Sequence, residues 1–179
     1  LVGSEMCIRD SYRDHIAYVS QSGGVLSGTL RDNLLFGVKH KVDDTTLLAL
    51  ADQFDLTLMG DNSASLLDTE IGEKGKLLSG GQKQKVQLIR AVLKDASLII
   101  LDEATSNLDA ESEGNIIQYL KEHFADRLIL VVAHRLSTIV DSDYIYFIEN
   151  GAVTGEGTHH DLMETHARYQ SFIQHQILK

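Results

Sequence analysis

The sequence has 179 residues, of which 26 are acidic and 16 basic, for a formal net charge of −10. That length allows one domain of ordinary size, and a hydrophobic share of 43% is enough for a packed core. The acidic balance, with no long basic run, argues against nucleic acid as a partner, and no apolar run approaches membrane-spanning length.

Residues 1–11 resemble the in-frame translation of a transposase-type sequencing adapter, so they are excluded from the fold and the native domain is expected over residues 12–179. The only cysteine, Cys7, falls in this segment. The remainder therefore carries no disulfide or thiol chemistry, as in a cytosolic domain. There is no proline either, so turns must rely on Gly, Asn, Asp and Ser.

His15-Ile16-Ala17-Tyr18-Val19 alternates weakly and predicts a strand. Ser20-Gln21-Ser22-Gly23-Gly24 breaks it. Residues 29–36 predict a short helix with Leu30, Leu34 and Leu35 on one side. Residues 43–54 predict a second, with Leu47, Leu48, Leu50 and Ala51 on its apolar face. Leu56-Thr57-Leu58-Met59 follows, then a polar loop over 60–65 and the charged, glycine-bearing stretch 69–75.

Ser79-Gly80-Gly81-Gln82 stands directly before an amphipathic stretch, 83–93. Ser79 suits the cap of a helix, and two glycines let backbone approach a ligand closely. A helix start presents free N–H groups and a positive dipole end, which favours phosphate; an ordinary turn before a helix fits the same four residues. On that helix Val86, Ile89, Val92 and Leu93 are expected to face inward, and Lys83, Gln84, Gln87 and Lys94 outward.

Leu98-Ile99-Ile100-Leu101 is a short apolar run closed by Asp102-Glu103. It fits a strand of a parallel sheet buried on both faces, although periodicity alone also allows a buried helix segment. Ligands of open α/β sheets sit beyond the carboxyl ends of the strands. Two adjacent carboxylates there are costly to bury without a cation or a reacting proton. Asp102 could hold Mg²⁺, directly or through water, and Glu103 could orient or deprotonate a water; a solvated loop start is the plainer alternative.

Residues 110–124 predict a helix with Ile116, Ile117, Leu120 and Phe124 inward. Residues 128–133 repeat the apolar pattern of a buried parallel strand. His134 lies just past it, beside Asp102 and Glu103 if the two strands are neighbours. Arg135 opens a further short helix. Glu149-Asn150-Gly151, between apolar segments, signals a hairpin. Thr158-His159-His160-Asp161 reads as a capping box, followed by helix to the end. His159-His160 lacks a third ligand at metal-binding spacing.

Leu78-Ser79-Gly80-Gly81-Gln82, the strand from Leu98 to Glu103, and Ser106-Asn107-Leu108-Asp109 resemble, in order and spacing, three motifs of the nucleotide-binding domain of ABC (ATP-binding cassette) ATPases. These are the signature motif, the Walker B strand with its catalytic glutamate, and the D-loop. The loop holding Gln21 is similar to the family's Q-loop, with Ser20 in place of the family proline and a looser Ser22-Gly23-Gly24 after it. His134 matches the switch histidine. Residues 69–75 resemble the X-loop of ABC exporters, which favours an exporter over a DNA-repair or chromosome-maintenance ABC protein.

The resemblance implies an α/β, P-loop NTPase-like fold with a mostly parallel sheet and a helical subdomain at about residues 29–93. It implies ATP and Mg²⁺ as cofactors. Gln21 and Asp102 would ligate Mg²⁺, and Glu103 and His134 would be catalytic. Ser79, Gly80, Gly81 and Gln82 would close over ATP held by a second ABC ATPase domain, identical or different, with Asp109 at the junction. Transmembrane domains would be the other partner, at the cytoplasmic face of the cell membrane, of bacterial inner-membrane type. A phosphate-cradling loop needs Gly-x-x-x-x-Gly-Lys followed by Ser or Thr. Gly75-Lys76 fails this test, with Leu77 after it and Glu70 where the first glycine belongs. The family carries that loop upstream of the Q-loop. Its lysine and the N-terminal strands are thus expected to be missing from these residues, which alone should not turn over ATP.

Overall fold

A computed structural model describes residues 11–21, 24–58, 66–133 and 135–177. The chain divides into two compact units, Leu1–Val132 and Ala133–Lys179.

In the first unit, strands β1 (Ile16–Ser20), β2 (Leu98–Asp102) and β3 (Leu128–Val132) form a parallel sheet in the order β1-β2-β3. The register sets Ser20, Asp102 and Val132 level with one another. Ala17, Val19, Ile99 and Leu101 lie on one face and are almost wholly buried. Helix α3 (Gly80–Leu93) packs on β1 from that side, and the short helix α1 (Leu30–Leu34) packs on α3.

The other face differs from expectation. Burial on both faces is expected for β2 and β3, yet Leu128 is 67% exposed and Leu130 48%; Tyr18, 59% exposed, fits the weak alternation of β1. On the middle strand Leu98 and Ile100 of the same face are half-buried. An all-apolar run conceals the two-residue alternation of a strand, so the sequence could not reveal which face was open.

The helices begin where cap chemistry dictates. Thr29 and Asp32 form a reciprocal capping box at α1, and Asp43 caps α2 (Asp44–Gln53) by accepting from the Thr46 N–H. Arg31 joins the two helices by pairing with Asp44, and it also reaches Asp68 at 3.3 Å. Leu47, Leu50 and Ala51 are buried as expected.

On α3, Val86, Ile89 and Leu93 face the core, but so do Leu88 and Ala91. The outward placement of Gln84 and Gln87 is overturned: they are 1% and 8% exposed. This helix is enclosed around most of its girth, so its amides are buried and satisfied by hydrogen bonds. Helix α4 (Ala110–His123), capped by Asp109, buries Ile116 and Leu120, with Phe124 just beyond its end.

The second unit is a hairpin backed by helices. Strands β4 (Ile145–Glu149) and β5 (Ala152–Gly157) pair antiparallel. Asn150 and Gly151 between them both take positive φ, 49° and 78°, as a type I′ turn requires. Helices α5 (Leu136–Val140), α6 (His159–Thr165) and α7 (Ala167–Ile177) complete it. Leu162, Tyr169 and Ile173 pack with Ile145 and Phe147. The Thr158–Asp161 capping box forms, and His159 Nδ1 lies 2.7 Å from the Tyr169 hydroxyl.

Candidate functional site: a helix-start cavity and a set of strand ends

A cavity of about 550 Å³ opens at the start of α3. Ser79, Gly80, Gly81 and Gln82 line it from the helix, and Asn107, Leu108 and Asp109 line it from the loop before α4. Asp55, Thr57 and Lys85 close it. Ser79 caps the helix: its hydroxyl accepts from the Gln82 N–H at 3.2 Å, and the Gln82 side-chain oxygen accepts from the Ser79 N–H at 2.7 Å. The Gln82 amide nitrogen also donates to the Thr57 carbonyl at 2.5 Å. At Gly81 the constraint is contact rather than backbone angle: a Cβ there would stand 3.1 Å from the Asn107 carbonyl oxygen, which would have to give by a few tenths of an ångström.

Charge in the cavity is fixed as well. The Lys85 ammonium, with a side chain 9% exposed, donates to the Asp55 carbonyl at 2.7 Å and to its carboxylate at 3.0 Å. Asp109 accepts from the Ser112 N–H at 2.8 Å. That backbone hydrogen bond holds its carboxyl below the ordinary value of 3.8. A helix N-terminus with a buried ammonium beside it suits an anionic ligand.

The second group sits at the carboxyl ends of the parallel strands. Gln21 follows β1 and is exposed. Asp102 ends β2, level with Ser20. Glu103 then turns out of the strand with φ 50°, its N–H bonded to the Val132 carbonyl at 3.2 Å. The Tyr18 hydroxyl donates to Asp102 Oδ2 at 2.8 Å, and this bond pushes the phenol above its ordinary pKa. His134 lies outside the described residues. Gln21 and Asp102 offer an amide oxygen and a carboxylate from adjacent strands, and hard oxygen donors of this kind suit Mg²⁺. Among the described residues no group of three or more His, Cys, Asp or Glu could hold a metal ion. A Mg²⁺ site needs no such group, because waters and phosphates usually complete its shell.

The family model for ABC transporters matches residues 3–106 of this sequence, a stretch that contains both groups of residues up to Ser106. The chain belongs to the ABC transporter family. It is 40% identical over 168 residues to the multidrug resistance ABC transporter ATP-binding and permease protein of Lactococcus lactis subsp. cremoris (strain MG1363), covering 94% of this chain and 28% of that protein. It is 39% identical over 165 residues to the ATP-dependent lipid A-core flippase of Pseudoalteromonas translucida (strain TAC 125), covering 92% and 28%. Among solved structures, a bacterial Atm1-family ABC exporter with ATP bound superposes with a TM-score of 0.85 at 30% identity, over 95% of this chain and 30% of that one. The chain thus spans less than a third of the length of these relatives, and its fold is that of an ABC ATPase domain.

The nominated residues of this ABC chain therefore separate into two sets. Ser79, Gly80, Gly81, Gln82 and Asp109 share the cavity. Gln21, Asp102 and Glu103 share the strand ends, and none of these three lines the cavity. Sequence reasoning missed Asp55, Thr57 and Lys85, which come to the cavity through long-range contacts. It also missed Gln84, the buried amide behind the cavity. The one available signal was its position, five residues after Ser79 and within the same helix.

Proposed function

We propose that residues 12–179 belong to the ATP-binding and ATP-hydrolysing domain of an ABC exporter. One observation carries this reading: the cavity and the strand ends are separate half-sites within one chain. A nucleotide at the strand ends then needs the cavity of another domain to close over it. That arrangement is a head-to-tail pair with two shared sites, formed with an identical or a different ABC ATPase domain.

Gln21 and Asp102 would hold Mg²⁺, whose charge offsets that of the triphosphate. The Glu103 carboxylate, turned out of its strand, would orient a water and accept its proton. His134 would support the same water. Ser79, Gly80, Gly81 and Gln82 would serve the facing site: Gly80 and Gly81 would present backbone N–H groups and Ser79 its hydroxyl to the phosphates, with Gln82 holding the helix start in its cap and Asp109 at the junction. The relatives carry ATP-binding and permease parts in one chain or act as exporters by name. The partner would accordingly be a set of transmembrane domains, with this domain at the cytoplasmic face of the cell membrane. No described helix is long and apolar enough to cross a membrane. The relatives are transport proteins, so nothing supports the DNA-repair or chromosome-maintenance alternative.

The test is a chimera in which residues 12–179 replace the matching segment of the Lactococcus lactis relative. Membrane insertion of the chimera is checked first. The expected result is ATP hydrolysis that Glu103→Gln reduces at least about 100-fold, as for loss of a general base. An inserted chimera without hydrolysis, or one indifferent to Glu103→Gln, refutes the reading. The 179 residues alone are expected to show no turnover, for want of a phosphate-loop lysine.

A further inference from the structure

The loop over residues 103–109 begins at the strand ends and finishes in the cavity. Two buried side chains grip it from opposite sides. Gln84, 1% exposed, comes from the interior of α3. Its amide nitrogen donates to Ser106 Oγ at 3.1 Å, and its oxygen accepts from the Asn107 N–H at 2.9 Å. Glu113, 2% exposed, comes from α4 and accepts from the Thr105 hydroxyl at 2.9 Å. Within the loop, the Ser106 N–H bonds the Glu103 carbonyl at 3.1 Å and the Leu108 N–H bonds the Thr105 carbonyl at 3.0 Å.

We infer that Gln84 is a positioning residue that makes the two half-sites of one domain a single rigid body. Its amide bonds both Ser106 and Asn107, so it ties the signature helix to the loop at two adjacent residues. Glu103 is three residues upstream of Ser106 and held to it by the turn. A displacement at the start of α3 is therefore carried toward Glu103 through Gln84 and the 103–106 turn, alongside the bond that ties the Glu103 N–H to the Val132 carbonyl. This inference rests on the proposed function for its meaning, but the link itself can be measured without ATP.

The choice of an amide is specific. Burial of a polar group without a partner is costly, and a Gln offers a donor and an acceptor on one planar group. Here both are engaged, in directions that only one side-chain pose satisfies. A methionine of similar volume would keep the packing and lose both bonds.

The experiment is backbone amide exchange on the 179-residue chain, comparing the native sequence with Gln84→Met and Gln84→Glu. For Gln84→Met, exchange at Asn107 is expected to rise about tenfold, in line with loss of a buried hydrogen bond. Ser106 and Leu108 should accelerate with it, because they belong to the same gripped turn, while Val86 to Leu93 on α3 stay protected. Gln84→Glu keeps an acceptor for the Asn107 N–H but not the donor to Ser106 Oγ, and should restore slow exchange at Asn107. The inference is overturned if Asn107 alone accelerates, if α3 and β2 lose protection together with the loop, or if Gln84→Glu behaves like Gln84→Met at Asn107. Loss of ATP hydrolysis in the chimera would bear on the proposed function and leave these exchange rates unaffected.

Discussion

The cavity and the strand ends share the loop over residues 103–109 but are finished to different degrees. Around the cavity several polar groups are paired within the chain: Gln82 with Ser79 and Thr57, Lys85 with Asp55, Asp109 with Ser112. At the strand ends Gln21 is exposed, and the sheet face beneath Asp102 is open. The first site is assembled from three short segments, 55–57, 79–85 and 107–109, all inside the first unit. The second stands at the ends of three strands brought together across the sequence, with Tyr18, Leu128 and Leu130 exposed on one face of the sheet.

The comparison breaks most directly at the sheet. Ile99 is fully buried on the covered face, whereas Leu130 is 48% exposed on the open one. Ile99→Ala should cost about 2–5 kcal/mol, as for removal of a buried branched side chain. Leu130→Ala should cost less than about 1 kcal/mol, as for a surface position. Chemical denaturation of the 179-residue chain measures both. Equal losses would mean that the open face is covered in solution, and the contrast between the half-sites would lose its physical basis.

Much of this arrangement was legible in the sequence, for reasons that differ by element. The caps at Ser79 and Thr158 are local chemistry and were legible as such; the helices expected from residues 29 and 43 start one residue later, because Thr29 and Asp43 are their caps. The Asn150-Gly151 turn is local as well. The three short apolar runs were legible as strands, but the register that sets Ser20, Asp102 and Val132 level was not, since the third run continues past Val132 to Ala133. Burial of Gln84 and Gln87 was not legible. Polarity ranks a helix into two faces, and it cannot show that α3 is enclosed on nearly all sides. Lys85 was hidden likewise, because its partner Asp55 lies 30 residues away in sequence. The open face of β3 was hidden because cover is a property of what packs against a strand, not of the strand.

A second test sharpens the contact that closes the cavity. A Cβ at Gly80 would meet the Asn107 side chain at an ordinary 3.5 Å, while one at Gly81 would press on the Asn107 carbonyl at 3.1 Å. Alanine favours helix over glycine by about 1 kcal/mol at either place. The difference between the two variants therefore isolates the contact. Gly81→Ala should be less stable than Gly80→Ala by about 1–2 kcal/mol, the range of mild overpacking. Matching stabilities would show that the 103–109 loop yields freely, contrary to the rigid link through Gln84.

Acid should loosen the cavity side before the core. Asp109 is held below its ordinary pKa chiefly by the Ser112 N–H, so its contribution is present above the unfolded value and lost as pH falls through the lower folded value. Asp109→Asn keeps the cap, since Asn caps as well as Asp, and has no carboxylate to protonate. Its neutral-pH stability should match that of the native chain, with a shallower decline below about pH 4. Melting curves followed by circular dichroism across pH 2–7 report this. Parallel declines in the two proteins would remove Asp109 as the source.

The smallest effect concerns the strand ends, where Tyr18 donates to Asp102. This bond raises the phenol pKa, so the stabilisation it brings is complete below the unfolded value near 10 and lost as pH rises through the higher folded value. Tyr18 is 59% exposed, so the free energy involved is minor at neutral pH. The spectroscopic consequence is sharper than the energetic one. Tyr119, Tyr144 and Tyr169 are raised as well, chiefly by burial, so ultraviolet titration should show a late-titrating group of phenols, from which Asp102→Asn moves one back toward the ordinary value and Tyr18→Phe deletes that same one. If Asp102→Asn leaves the titration unchanged, Asp102 is not engaged by Tyr18. Both oxygens of that carboxylate would then stand open at the strand ends, and the difference between the two half-sites would be larger than the structure shows.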